Sequence, residues 1–264
     1  MSEFTNKVIW ITGASSGIGE ALAYEFSRCN AHVILSARRI AELERVKQNC
    51  SNQANVVLLP LDLSKPETLE ADVEKALKIF GHVDILINNG GLGQRGLVHE
   101  TSLAVYQEIM QVNFFGTIAL SKSLLPHFVE RQQGHYVVVT SLTGKFGTPL
   151  RSGYAASKHA LHGFFDSLRA EQWKNNILVT MICPGFIATN LSKSALIGDG
   201  SQQNALDKTS YPKKSPEWCA KKIRQAVEAK KEEVYIGGRE VFGVYLKRFV
   251  PRIFSKIIRK VAVR

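Results

Sequence analysis

Short apolar runs and longer stretches of helical period alternate along this chain, and that alternation constrains its fold more than any other feature. The runs at 7–11, 32–36, 56–59, 83–87, 136–140 and 177–182 read as strands. Between them, 17–28, 40–50, 66–80, 103–132 and 152–173 carry the spacing of helices. Strands separated by helices pair in parallel, and right-handed crossovers place the helices on both faces. The expected fold is α/β, a doubly wound parallel sheet in one domain. No repeat, low-complexity block or proline-rich linker interrupts the pattern before residue 186. Two segments depart from it. Residues 186–216 are polar and too long for an ordinary connection, as lids often are. Residues 239–264 form a basic extension, so the division is 1–238 for the domain and 239–264 for the tail.

With 45% hydrophobic and 22% charged residues, the chain reads as globular rather than disordered. Its net charge of +11 favours anionic partners such as phosphates, acidic substrates, nucleic acid or an anionic membrane. Nucleic acid is disfavoured, because no binding motif is present and the excess charge sits in the tail. Cys29, Cys50, Cys183 and Cys219 form no C-x-x-C pair and no zinc pattern. They read as buried thiols in a reducing compartment, and no metal is expected. The first residues lack the apolar stretch of a secretory signal. The longest uncharged stretch, 175–192, contains Pro184 and Gly185 and does not read as a membrane span. The expected location is cytoplasmic.

Thr12-Gly13-Ala14-Ser15-Ser16-Gly17-Ile18-Gly19 lies between the first strand and the first helix. Glycines there let the backbone turn and approach a ligand closely, and the helix start offers N–H groups to a phosphate. A glycine trio alone is a weak signal that an ordinary turn also explains. Its place at the first strand–helix junction points to a dinucleotide. In such folds an acidic residue after the second strand binds the ribose 2′-hydroxyl of NAD. Here the strand runs into Ala37-Arg38-Arg39 with no carboxylate. Guanidinium groups pair with a 2′-phosphate, so the expected cofactor is NADP, with Arg38 the stronger candidate. The plain alternative is that both arginines only start a solvated helix.

Tyr154 and Lys158 are four residues apart and share one helix face. An ammonium beside a phenol lowers its pKa, which would make Tyr154 a proton donor to a ketone or a base towards an alcohol. Ser141 follows the fifth strand, at the sheet end where open α/β folds bind ligands. By itself the Tyr/Lys pair is more often a plain surface face. Its weight comes from the serine-bearing strand and the glycine-rich loop.

Taken together over about 5–236, these residues resemble the short-chain dehydrogenase/reductase family. The resemblance rests on the loop at 12–19, Asp62-Leu63, Asn88-Asn89-Gly90-Gly91, Asn113, Ser141, Tyr154, Lys158 and Pro184-Gly185. It implies that Gly13, Ser15, Ser16, Gly17, Ile18 and Gly19 hold the pyrophosphate region and that Asp62 and Leu63 contact the adenine. Asn88, with Asn89 and Gly90, would lie along the adenosine ribose. Pro184, Gly185, Ile187 and Thr189 would contact the nicotinamide end. Asn113 would stabilise a helix bulge and anchor a water linked to Lys158, which would also hold the ribose. Gly90 departs from the family's usual alanine and removes no hydrogen-bonding group. The implied activity is NADP-dependent interconversion of an alcohol and a carbonyl. A cofactor-binding regulator without turnover is the alternative, and the full Asn/Ser/Tyr/Lys set argues against it. The resemblance also implies a homo-oligomer, dimer or tetramer, built on 103–132 and 152–173.

Substrate choice is expected in 92–97, 142–151 and 186–211, where Phe146, Leu150, Phe186 and Leu191 either line an apolar pocket or anchor loops. In the tail, apolar pairs recur every four residues from Tyr245/Leu246 to Val261/Ala262, among Lys247, Arg248, Arg252, Lys256, Arg259 and Lys260. This is a basic amphipathic helix with a kink at Pro251. Two readings stay open: a helix docked on its own subunit or a dimer partner, and a peripheral membrane contact.

Overall fold

The computed structural model describes residues 2–205 and 212–260. Among these, seven parallel strands form one sheet: β1 (Val8–Thr12), β2 (His32–Ser36), β3 (Val56–Leu58), β4 (Ile85–Asn88), β5 (Gly134–Val139), β6 (Ile177–Pro184) and β7 (Glu233–Ile236). The order across the sheet is β3-β2-β1-β4-β5-β6-β7, parallel throughout. Each β1 residue is buried, as expected of a strand covered on both faces. The period of two shows inside it: Ile9 and Ile11 enter one core, and Val8 and Trp10 the other.

One core is covered by α1 (Gly17–Arg28), α2 (Ile40–Gln48) and α7 (Pro216–Glu228), the other by α3 (Leu69–Phe80), α5 (Thr117–Glu130) and α6 (Ser152–Gln172). The expected doubly wound sheet is therefore the observed one. β7 has no counterpart among the expected strands. Its four residues follow a run of charge and are mostly half-buried at the sheet edge, so neither an apolar run nor a clean alternation marks it.

The helix expected over 103–132 is not continuous. α4 (Leu103–Met110) gives way to a π-helical turn, Gln111–Gly116, before α5 begins. The cause is Asn113, whose side chain serves the backbone of Leu92: Oδ1 accepts from Leu92 N at 2.7 Å and Nδ2 donates to Leu92 O at 2.9 Å. A wider turn brings that side chain inward, a use of π-bulges common near functional sites.

The tail forms two helices, α8 (Phe242–Phe249) and α9 (Pro251–Ile258). Pro251 occupies the first turn of α9, where its missing N–H costs nothing. Val244 and Phe254 are buried with Leu246 and Ile258 against Leu142, Phe146, Cys183 and Tyr235. One side of the tail is thus docked on its own chain. Val261 and Ala262 of the expected pattern lie outside the described residues, as do 206–211 of the expected substrate segment. Among the described residues no helix is long and apolar enough to cross a membrane.

Candidate active site

The sheet order reverses between β1 and β4, and the loops after these strands meet there. The Thr12 hydroxyl accepts from the backbone N–H groups of Asn89 and Gly90, both at 3.0 Å. Asn89 Nδ2 donates back to Thr12 O at 3.1 Å and Gly13 O at 3.2 Å. Gly13 has φ of 63°, and a Cβ there would sit 2.7 Å from Gly90 Cα. Only glycine meets both conditions. At the start of α1 the Ser16 side chain makes no cap, which leaves first-turn N–H groups facing the cleft between the loops. Thr189 arches over this point, 3.0 Å from where a Gly17 side chain would begin.

The cleft encloses about 680 Å³ and is lined by Gly13, Ser15, Ser16, Gly17 and Ile18 at one end, and by Ser141, Tyr154 and Lys158 at the other. Arg38, Arg39, Asp62, Leu63, Asn89, Gly90, Pro184, Gly185, Ile187 and Thr189 line it as well. Arg39 reaches towards the glycine-rich loop, with its guanidinium 3.5 Å from Ser15 Oγ. Asp62 Oδ1 accepts from Ser64 N and Ser64 Oγ. Burial opposes its ionisation, but those bonds and the Arg38 charge hold its pKa below the ordinary value.

Two expected cleft residues, Asn88 and Gly19, lie outside its lining, and Asn113, expected to stabilise a helix bulge, lies at that bulge. Asn88 is buried, and its Nδ2 donates to Ser121 Oγ at 3.0 Å, inside the core rather than along a ribose. Gly19 faces Gly13 O with no room for a Cβ, so it serves helix-to-strand packing. Asn113 is fully buried, and besides its bonds to Leu92 it donates to Ser157 Oγ at 3.0 Å. It is a structural link between the β4 loop and α6.

At the chemical end, Ser141 Oγ accepts from Thr143 N at 3.2 Å and lies 3.0 Å from Thr143 Oγ1. Its own proton points to Pro184 O at 3.4 Å, a poor bond that a better acceptor would displace. Tyr154 lines the same end of the cleft as Ser141. Burial raises the Tyr154 pKa above its ordinary value, partly offset by Ser141, Arg151 and Arg95. The expected lowering by Lys158 is absent. Lys158 Nζ lies 5.8 Å from the phenol ring centre and bonds Val139 O instead. Burial brings Lys158 itself down to about 8.

Several residues around the site were not singled out in the sequence. Arg95 and Arg151 add positive charge to the cleft. Glu240, the one acid of the tail, accepts from Phe186 N at 3.2 Å, and its carboxylate fills the space a Gly185 side chain would need. Behind Ser141, Glu233 Oε2 lies 2.8 Å from Lys145 Nζ and 3.4 Å from His162 Nδ1, while His162 Nε2 lies 3.2 Å from Thr140 Oγ1. Burial opposes ionisation of Glu233, but bonds to His162, Lys145 and Tyr235 hold it down to about 2. His162, Cys183 and Glu233 converge as metal ligands can, but the Lys145 ammonium already neutralises the carboxylate, so the group reads as an ion-pair network.

A doubly wound sheet with a glycine-rich cleft at its switch point is the architecture of dinucleotide-binding folds. The family model described as short chain dehydrogenase matches residues 7–198, and the chain belongs to that family. It is 41% identical to a fruit-fly protein, dehydrogenase/reductase SDR family protein 7-like (Drosophila melanogaster), over all of this chain and 82% of the relative. Human dehydrogenase/reductase SDR family member 7 is 41% identical over 94% of this chain and 76% of its own length. A short-chain dehydrogenase from Streptomyces avermitilis superposes with a TM-score of 0.81 at 26% identity, covering 97% of this chain and 96% of that one. An alcohol dehydrogenase from Thermococcus sibiricus, complexed with 5-hydroxy-NADP, gives 0.75 at 28% identity, covering 87% and 95%. The family binds a nicotinamide cofactor, and the tight glycine cradle, the uncapped helix start and the cationic lining fit one here.

Proposed function

We propose that the chain interconverts an alcohol and a carbonyl on an apolar substrate with NADP(H). The observation that carries this reading is the placement of Ser141, Tyr154 and a buried Lys158 together in the lining of one cleft. The nicotinamide, when bound, supplies or accepts the hydride. Tyr154 stays protonated through the neutral range, so its phenol is ready to donate to a carbonyl oxygen. Ser141, oriented by Thr143, turns its weakly held proton to the same oxygen. In the reverse direction the Tyr154 phenolate that this donation leaves takes the alcohol proton, while Ser141 hydrogen-bonds the same oxygen. Arg38 and Arg39 at the cleft edge support NADP over NAD. The exposed basic side chains of α8 and α9 support peripheral contact with an anionic membrane.

Replacing Tyr154 with Phe tests the reaction. Binding of NADPH, followed by its fluorescence, should remain within about threefold, while turnover falls by roughly 10²–10⁴. Wild-type turnover in Tyr154→Phe would show that the proton comes from elsewhere. A regulator without turnover would show no ketone reduction in either protein.

A further inference from the structure

The cofactor cleft shares Ser141, Arg151, Pro184, Gly185 and Phe186 with a second concavity of about 480 Å³. This volume lies within the roughly 300–1,000 Å³ of small-molecule sites. Phe146 belongs to its wall, and much of the rest comes from the tail: Phe242, Tyr245, Leu246, Phe249, Phe254 and Ile257. Phe254 packs edge-on against Phe146 at 5.2 Å between ring centres and holds the helix pair to the body. Glu240 ties the start of the pair to Phe186, within the shared wall. Phe249 is nonetheless 76% exposed, Phe242 70% and Ile257 46%. Large apolar side chains held in water around a concavity mark a surface that is covered in use.

We propose that the helix pair α8–α9 is the apolar half of the substrate site. It takes the hydrocarbon body of an alcohol or carbonyl whose oxygen lies at Ser141. The proposal rests on the reaction proposed above and adds where the substrate body binds and what it is made of. Continuity selects this occupant: the concavity shares Ser141, one of the two residues that would hold the reacting oxygen, with the cleft that Tyr154 lines. The tail's part of the wall selects the class, because its aromatic and aliphatic side chains match a hydrocarbon body, while Arg151, Arg239 and Glu240 supply the charged part of the lining. Phe146 and Phe186, expected to line a substrate pocket, do line this one, whereas Leu191 lines the cofactor cleft and Leu150 lines neither.

The test compares 2-butanone with 2-decanone, which differ by six methylenes. Each buried methylene is worth about fourfold in affinity, so even partial burial predicts kcat/KM at least fiftyfold higher for the longer ketone. In the double variant Phe249→Asp/Ile257→Asp the ratio should fall below about tenfold. Both positions are exposed, and thermal unfolding checks that the variant is folded. The apolar control Phe249→Leu should keep the high ratio. Equilibrium dialysis of both ketones against the full chain without cofactor reads the chamber independently of turnover. If no ketone is reduced yet 2-decanone binds tightly and the Asp pair weakens it, the reaction fails and the chamber stands. Equal binding of the two ketones, or a ratio unmoved by the Asp pair, overturns the chamber. A patch that serves only a partner or a bilayer gives that second result.

Discussion

Lys158 Nζ donates a 2.9 Å hydrogen bond to the carbonyl of Val139, two residues before Ser141. The ammonium therefore braces the end of β5, just before Ser141, and is not spent on the phenol of Tyr154. The bond does not offset the burial of the charge, and the pKa of Lys158 falls from 10.5 to about 8.

That shift has a signed consequence for stability. Between about pH 8 and 10.5 the unfolded chain holds the Lys158 proton and the folded chain does not, so this group makes stability rise with pH across that window. Below pH 8 its burial cost is fully present. At about 1.4 kcal/mol per pH unit the cost is roughly 3 kcal/mol. Lys158→Met removes it and loses one hydrogen bond worth about 1 kcal/mol. The cofactor-free variant should thus be about 2 kcal/mol more stable than wild type at pH 7 and about 1 kcal/mol less stable by pH 10.5, once the burial cost has gone and only the lost hydrogen bond remains. Buried Cys183 and Cys219, both raised to about 12, also respond to alkaline pH, but they are common to both proteins and cancel in the difference. Thermal unfolding at the two pH values checks this; a gap that stays constant would mean that burial does not perturb Lys158.

Arg38 and Arg39 follow β2 with no acid between the strand and them, and both line the cleft. A guanidinium paired with a 2′-phosphate contributes about 1.5–3 kcal/mol. Arg38→Asp should therefore weaken NADPH by roughly 10–100-fold, since one charge-assisted bond is lost and a like charge appears. NADH, which lacks that phosphate, should change by less than about threefold. Calorimetric titration of both cofactors separates the cases, and equal weakening would remove Arg38 from the ribose site.

What the sequence showed depended on whether the signal was local. β1 and the glycine-rich loop were legible because burial on both faces and a φ of 63° at Gly13 each leave a mark on residue choice. The order of Asn113, Ser141, Tyr154 and Lys158 was legible through resemblance. Their bonding was not, since Asn113 joins Leu92 and Ser157 across 21 and 44 residues. Asn88 was misplaced for a related reason. It ends a strand beside the ligand loop, and only the third dimension shows its amide turned to Ser121. Glu240 looked like a lone acid in a basic helix, and its role needs Gly185 and Phe186 brought beside it. The tail showed its amphipathic pattern plainly, yet periodicity cannot tell a face docked on Phe146 from one that meets lipid.

Both faces of that tail now have separate tasks to test. Lys247, Arg248, Arg252, Lys256, Arg259 and Lys260 are exposed, on the same helices whose Val244 and Phe254 are buried. Each cation near an anionic leaflet contributes about 1 kcal/mol, and screening weakens it within a Debye length of about 8 Å at physiological salt. Reversing three of them, Lys247→Glu, Arg248→Glu and Arg252→Glu, leaves the docked apolar side chains in place and changes the local charge by six. Binding to vesicles containing phosphatidylserine should fall at least a hundredfold, and raised salt should release the wild type. Co-sedimentation reads both. Equal binding by the two proteins, or binding that ignores salt, would leave the basic face without a membrane role.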